Sequence, residues 1–168
     1  TFPRGVSGFK ASHLWAEGEY TDDTQMALLL AESLLQHGRL LPSDVAHRFR
    51  QWVKTAKDVG IQISRVVRMK GYTDHPELSA RLDYEQNPTR AAGNGAVMRC
   101  APVALFYRKS VPMMLADARR SARLTHGDPK AQSSCVLGCG AIHHRLNGGK
   151  LQGAVLAGQA FLTANERK

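Results

Sequence analysis

The chain has 168 residues, 43% of them hydrophobic, and 23 basic against 14 acidic side chains give it a formal charge of +9. That length and apolar content suit one domain with a real core and exclude wholesale disorder. No apolar run approaches the roughly 20 residues that cross a bilayer, and Thr1-Phe2-Pro3-Arg4 does not open a signal peptide.

Residues 1–20 carry Gly5, Gly8 and Gly18 without a period and read as a loop. From Asp23 to about His37 the apolar positions 26, 27, 30, 31, 34 and 35 follow the helical period, and Gly38 is the stop. Pro42-Ser43 opens a second helix with Val45, Phe49, Trp52 and Val53 on one face, ended by Gly60. Ile61 to Arg68 reads as a short helix despite its β-branched residues, and Gly71 breaks it. His75 to Gly95 is polar and rich in Pro and Gly, helical near Glu77–Leu82 and otherwise a binding loop. Helices follow over Ala101 to Tyr107, Pro112 to Leu124 and Pro129 to Leu146, and a last one starts near Leu151. Asp128 caps the Pro129 helix, Pro129 sits in its first turn, and Gly148-Gly149 closes it. Six or seven helices, the partly helical stretch near Glu77–Leu82 not counted among them, and no strand pair predict an all-α, orthogonal multi-helix bundle in a single domain over residues 1–168.

The excess positive charge suits an anionic ligand, nucleic acid or an acidic partner surface. Lys54 and Lys57, then Arg65, Arg68 and Lys70, then Arg119, Arg120 and Arg123 form short groups at helical spacing. No aromatic residues interleave to stack on bases, so these groups read as solvated helix faces rather than a nucleic-acid site. Cys100, Cys135 and Cys139 form no disulfide framework and predict a reducing, cytoplasmic setting. Cys135, Cys139 and His143 share a helical face. They read as a core-facing stripe, because ligands spread over two turns of a straight helix cannot all reach one ion.

Glu19-Tyr20-Thr21-Asp22-Asp23-Thr24 stands directly before the first apolar helical run. Each of two adjacent carboxylates opposes ionisation of the other, and a hard cation such as Mg²⁺, Mn²⁺ or Ca²⁺ relieves the conflict. Taken alone, the segment reads first as a helix cap, with Asp in the first turn favouring the dipole. Gly93-Asn94-Gly95 permits close backbone approach, and free N–H groups near a helix start favour phosphate; a lone segment of this kind is also an ordinary turn. Arg99 suits a phosphate contact or a buried structural pair.

Thr21-Asp22-Asp23-Thr24, then Gly93-Asn94-Gly95-Ala96-Val97-Met98-Arg99-Cys100-Ala101-Pro102, then Thr125-His126-Gly127-Asp128-Pro129 follow one another in this order. Together they resemble the ADP-ribosylglycohydrolase family, whose pattern runs T-D-D-T, G-N-G-x-x-M-R-x-A-P and T-H-x-D-P. The resemblance implies an all-helical fold with a cleft at one end, and metal-dependent hydrolysis of the link between ADP-ribose and a protein side chain or other acceptor. It implies that Thr21, Asp22 and Asp23 are ligands to Mg²⁺ or Mn²⁺, and that Gly93, Asn94, Gly95 and His126 contact ADP-ribose. No catalytic residue is assigned. Asp128 is given a structural role. On this reading Gly95→Val crowds the ligand phosphates.

Two family segments, G-D-A-x-G near the N-terminus and D-x-D-T near the C-terminus, are not found, and Asn165-Glu166-Arg167-Lys168 is no substitute. The expectation is therefore a partial family domain that lacks the second half of its metal site. The alternatives are a non-catalytic ADP-ribose-binding or structural helical protein, and a basic helical module for nucleic acid. Metal-dependent hydrolysis separates the first alternative from an enzyme, and a steep salt dependence of binding marks the second.

Overall fold

A computed structural model describes Gly8, Ala11 and residues 13–163. The expected N-terminal loop is thus described only in part, and Asn165–Lys168 lie outside the described residues. Eight α-helices follow in order: α1 Asp22–His37, α2 Pro42–Trp52, α3 Ile61–Val67, α4 Pro76–Gln86, α5 Ala101–Phe106, α6 Val111–Arg123, α7 Pro129–Leu146 and α8 Ala154–Gln159. Short 3₁₀ turns at Val97–Arg99 and Leu151–Gly153 precede α5 and α8. Among the described residues there is no strand, so the all-α fold holds, with one helix more than the six or seven expected.

Met26, Leu30 and Leu34 recur every four residues on α1 and are fully enclosed. That stripe drives the helix against the bundle, because isolated helices of this length gain most of their stability from an apolar face. Gly38, at φ 65°, ends α1 in the left-handed conformation a side chain resists. α2 adds Val45, Ala46 and Phe49 to the same core. The Leu40 amide, between the two helices, donates to Tyr107 Oη at 3.1 Å and ties this pair to the end of α5.

α7 is the hub, packed by α5, α6 and α8, while α1 packs on α2, α5 and the Val97–Arg99 turn. Its inner face is small: Ala131, Cys135, Cys139 and Gly140 are buried there, and Cys100, Cys135 and Cys139 are free thiols. The Asp128 carboxylate accepts from the Lys130 amide at 2.7 Å, which makes it the α7 cap.

Two boundaries differ from the sequence expectation. α2 stops at Trp52, well short of Gly60, which instead begins α3 as its cap residue. The Val53 carbonyl accepts from Arg68 Nη2 at 3.0 Å, and i→i+3 bonds from Lys54 and Thr55 tighten the last turn. α4 runs past Leu82 to Gln86, because Asp83 is drawn into the interior to receive both Arg65 Nε at 2.7 Å and Nη2 at 3.0 Å.

Candidate functional site

Thr21 occupies the cap position of α1 in an extended conformation, yet its side chain caps nothing. Its hydroxyl lies 3.4 Å from Asp23 Oδ2 instead. The helix start is held by Gln25, whose side-chain amide donates to the Tyr20 carbonyl at 3.2 Å and accepts from Trp52 Nε1 at 2.7 Å. Asp22 and Asp23 therefore stand at the mouth of α1 while Met26 and Leu30 point inward.

The Asp22 carboxyl is pushed above its ordinary range, first by burial, then by the charges of Asp23 and Asp58. Asp58 arrives on the loop between α2 and α3. The neighbouring Lys57 ties this loop to the approach to α1, its ammonium lying 2.6 and 2.7 Å from the two Glu19 carboxylate oxygens. Asp22 and Asp23 thus offer adjacent hard-oxygen ligands, with the charge of Asp58 felt at Asp22. Among the described residues, however, no group of three His, Cys, Asp or Glu converges closely enough to hold a metal ion. Thr21, Asp22 and Asp23 fit part of a coordination sphere, not all of it.

The second group lies around the 91–96 loop. Gln62 of α3 reaches it from beneath: Nε2 donates to the carbonyls of Ala91 at 2.8 Å and Thr125 at 3.4 Å, and Oε1 accepts from the Gly93 amide at 3.1 Å. The loop precedes a helical segment, as expected, which opens with a three-residue 3₁₀ turn. Arg99 closes that turn by donating back to the Gly95 carbonyl, and α5 begins only at Ala101, with Pro102 in its first turn.

Of the two roles open to Arg99, the geometry selects the structural one. The residue is 1% exposed, and its guanidinium also donates to the Ser121 carbonyl at 3.1 Å and to Thr125 Oγ1 at 2.7 Å. It lies 4.9 Å from the centre of the Phe49 ring. Burial depresses its pKa.

His126 is 1% exposed, with Nδ1 2.8 Å from Thr125 Oγ1. Arg99 has only donors, so the Thr125 hydroxyl accepts from it and also shares a hydrogen bond with His126 Nδ1, whose direction follows the ring tautomer. Among the described residues Nε2 has no partner. Burial and the Arg99 charge lower the His126 pKa to about 3, so the ring is neutral. A side chain built on Gly93 would bring its Cβ within 3.6 Å of Nε2. The unpaired Nε2 thus sits against the underside of the loop.

Gly93, Gly95 and His126 are brought together, while Asn94 is exposed. A Cβ on Gly95 would lie 2.6 Å from Ile63 Cδ1 and 3.2 Å from His126 Cε1. Gly95→Val therefore strikes the protein's own packing before any ligand, which corrects the expectation for that variant. The acidic group and the loop are linked by the Val97–Arg99 turn, which packs on α1. Beside it an apolar groove of about 530 Å³ runs between α1 and α5, with Asp23 at its rim and Leu28, Leu35, Met98 and Leu105 among its walls.

Residues 1–167 match the family described as ADP-ribosylglycohydrolase. The chain belongs to the ADP-ribosylglycohydrolase family.

It is 33% identical over 132 residues to the ADP-ribosyl-[dinitrogen reductase] glycohydrolase of Rhodospirillum rubrum, covering 78% of this chain and 42% of that protein. It is 35% identical over 136 residues to ADP-ribosylhydrolase ARH3 of Bos taurus, covering 77% and 36% respectively. With ADP-ribosylarginine hydrolase Tri1 of Serratia proteamaculans the identity is 30% over 137 residues, covering 78% and 36%. The chain spans well under half the length of these family relatives.

Sequence reasoning missed Asp58 and Gln62. Asp58 had no signal beyond standing in a non-periodic stretch before Gly60. Gln62 could have been noticed as the one polar residue between Ile61 and Ile63, on a helix whose other inward residues are apolar.

Proposed function

We propose that this chain is part of a metal-dependent hydrolase that cleaves the glycosidic link between ADP-ribose and a protein side chain or other acceptor. The observation that carries the reading is the uncapped start of α1, where Asp22 feels the charges of Asp23 and Asp58. Adjacent carboxylates that oppose one another's ionisation are relieved by a cation. The names of the relatives supply the substrate class, ADP-ribose on a protein.

Thr21, Asp22 and Asp23 are the residues that hold Mg²⁺ or Mn²⁺ in this reading. Such an ion supplies a lowered water pKa and orientation of the ribose hydroxyls. The chain's own part is to position. Gly93 lets the loop approach closely, Asn94 and Gly95 offer backbone amides to the ligand, and His126 in its Nε2–H tautomer supplies one neutral donor beneath them. A neutral donor stabilises negative charge without competing with the cation for it. Cleavage proceeds through an oxocarbenium-like state, in which orientation of ribose and water counts for much of the rate. The free thiols support a reducing, cytoplasmic location.

A second reading, a non-catalytic ADP-ribose-binding or structural protein, draws on the incomplete set of ligands among the described residues. The nucleic-acid reading is weakened by the use of several basic side chains in ion pairs, Arg48 with Glu32 and Asp44, and Arg120 and Arg123 with Glu77. Calorimetric titration with Mn²⁺ and Mg²⁺ tests the metal assignment. The Asp22→Asn/Asp23→Asn variant should lose at least tenfold in affinity while keeping its helical signal. Equal affinity in parent and variant would remove these residues from the site.

A further inference from the structure

We propose that Gln62 is a positioning residue for the candidate ligand loop: it holds the Ala91–Gly93 backbone over Thr125–His126 and so sets where the loop amides and the His126 imidazole lie relative to one another. The inference rests on the ADP-ribose reading of that loop.

Gln62 is 7% exposed, and every part of its amide is used. Oε1 takes the Gly93 N–H at 3.1 Å, and Nε2 gives to Ala91 O at 2.8 Å and Thr125 O at 3.4 Å. The orientation has no alternative. Flipping the amide would set its oxygen against two carbonyls and its NH₂ against an N–H. A carboxylate at this position could still accept from Gly93 but could not donate to Ala91 or Thr125. A methionine could do neither.

Three segments far apart in sequence meet on this one side chain. Two of them, the 91–95 loop and Thr125–His126, hold residues assigned to ADP-ribose. The third, α3, contributes nothing else polar to the contact: its neighbour Ile63 packs beneath Gly95, where a Cβ would lie 2.6 Å from Cδ1. Gln62 also takes the Gly93 amide out of ligand service. The amides left for an anion are those of Asn94 and Gly95, from which no described backbone carbonyl accepts. A loop tethered in this way meets its ligand already ordered, and that saves affinity otherwise spent on ordering it.

Two measurements on the 168-residue chain decide the matter. The first needs no ligand: amide hydrogen exchange by NMR. In Gln62→Met the Gly93 amide should exchange at least tenfold faster, while amides in the middle of α7 keep their protection. Unchanged exchange at Gly93 would overturn the proposal. The second is calorimetric binding of ADP-ribose with Mg²⁺ present. Gln62→Met and Gln62→Glu should each weaken it about tenfold or more, on the scale of one or two hydrogen bonds, with melting temperatures close to the parent's. Parental affinity in a folded Gln62→Met would equally overturn the proposal. Loss of binding only together with global unfolding in both variants would reduce Gln62 to a core residue and also overturn it. If the parent binds no ADP-ribose, the functional reading fails, and the exchange measurement still decides whether Gln62 holds the loop.

Discussion

His126 carries a proton question inside the core. Its folded pKa is lowered to about 3 by burial and by Arg99, against an ordinary value near 6.5. The unfolded chain therefore binds a proton below pH 6.5 that the folded chain refuses. Stability from this site is complete above about pH 6.5 and is lost as pH falls toward 3. Linkage sets the slope at about 1.4 kcal/mol per pH unit, so roughly 2 kcal/mol should disappear between pH 7 and pH 5. Urea unfolding of parent and His126→Gln at both pH values checks this. The variant should lose less by about that amount, and parallel losses would show that His126 is not the group responsible. A second residue-scale prediction concerns Gly95. Gly95→Ala should cost about 1–3 kcal/mol by overpacking against Ile63. Removing the offending Cδ1 with Ile63→Val should recover part of the loss, so the double variant is more stable than the sum of the singles by about 1 kcal/mol. Strict additivity in a double-mutant cycle would rule out the contact as the cause.

At the scale of elements, α7 and α8 approach through glycine. Gly158 faces the Leu137 carbonyl, which a Cβ would meet at 2.4 Å, and a Cβ on Gly140 would lie 2.9 Å from Gly158 Cα and 2.6 Å from Phe161 Cδ2. Backbone atoms cannot swing aside as a side-chain tip can. Gly158→Ala should therefore unseat α8 and its anchor Leu162, with a loss of about 2 kcal/mol or more. Hydrogen exchange should show α8 deprotected while α1 and α2 keep their protection, since α8 packs chiefly on α7 whereas α1 and α2 pack on each other through Leu30, Leu34 and Phe49 of the core. Native protection of α8 in the variant would mean that the two helices slide apart without cost.

For the whole molecule, what matters is how much of a catalytic site one chain supplies. Thr21, Asp22 and Asp23 offer a few oxygens, whereas Mg²⁺ takes six in near-octahedral order and fills the remainder with water. On the proposed reading such a site, open and half-built, would bind the ion weakly and orient ribose poorly. The expected outcome is that the 168-residue chain releases little or no ADP-ribose from a modified protein with Mg²⁺ or Mn²⁺ supplied. A longer family polypeptide that includes D-x-D-T should be active. Robust, chelator-sensitive turnover by the 168 residues would require a different set of ligands.

Much of the helical layout was legible because its causes are local. The four-residue recurrence of Met26, Leu30 and Leu34, the Gly38 stop, and the Asp128-Pro129 start of α7 each act within a turn or two of the residue concerned. The family, too, was legible from three short segments in order. Tertiary structure alone decided the rest. It ended α2 early through Arg68, from the next helix, and extended α4 by drawing Asp83 to Arg65. It brought the charge of Asp58 to bear on Asp22 and hung the 91–95 loop and Thr125 on Gln62. It also made Arg99 an internal strut rather than a ligand residue. Each of these is a polar side chain answering a partner many residues away, and no periodicity records such a pairing. Apolar faces repeat along the chain and so announce themselves, whereas a buried hydrogen bond is specified by two single residues whose meeting is known only once the helices have packed.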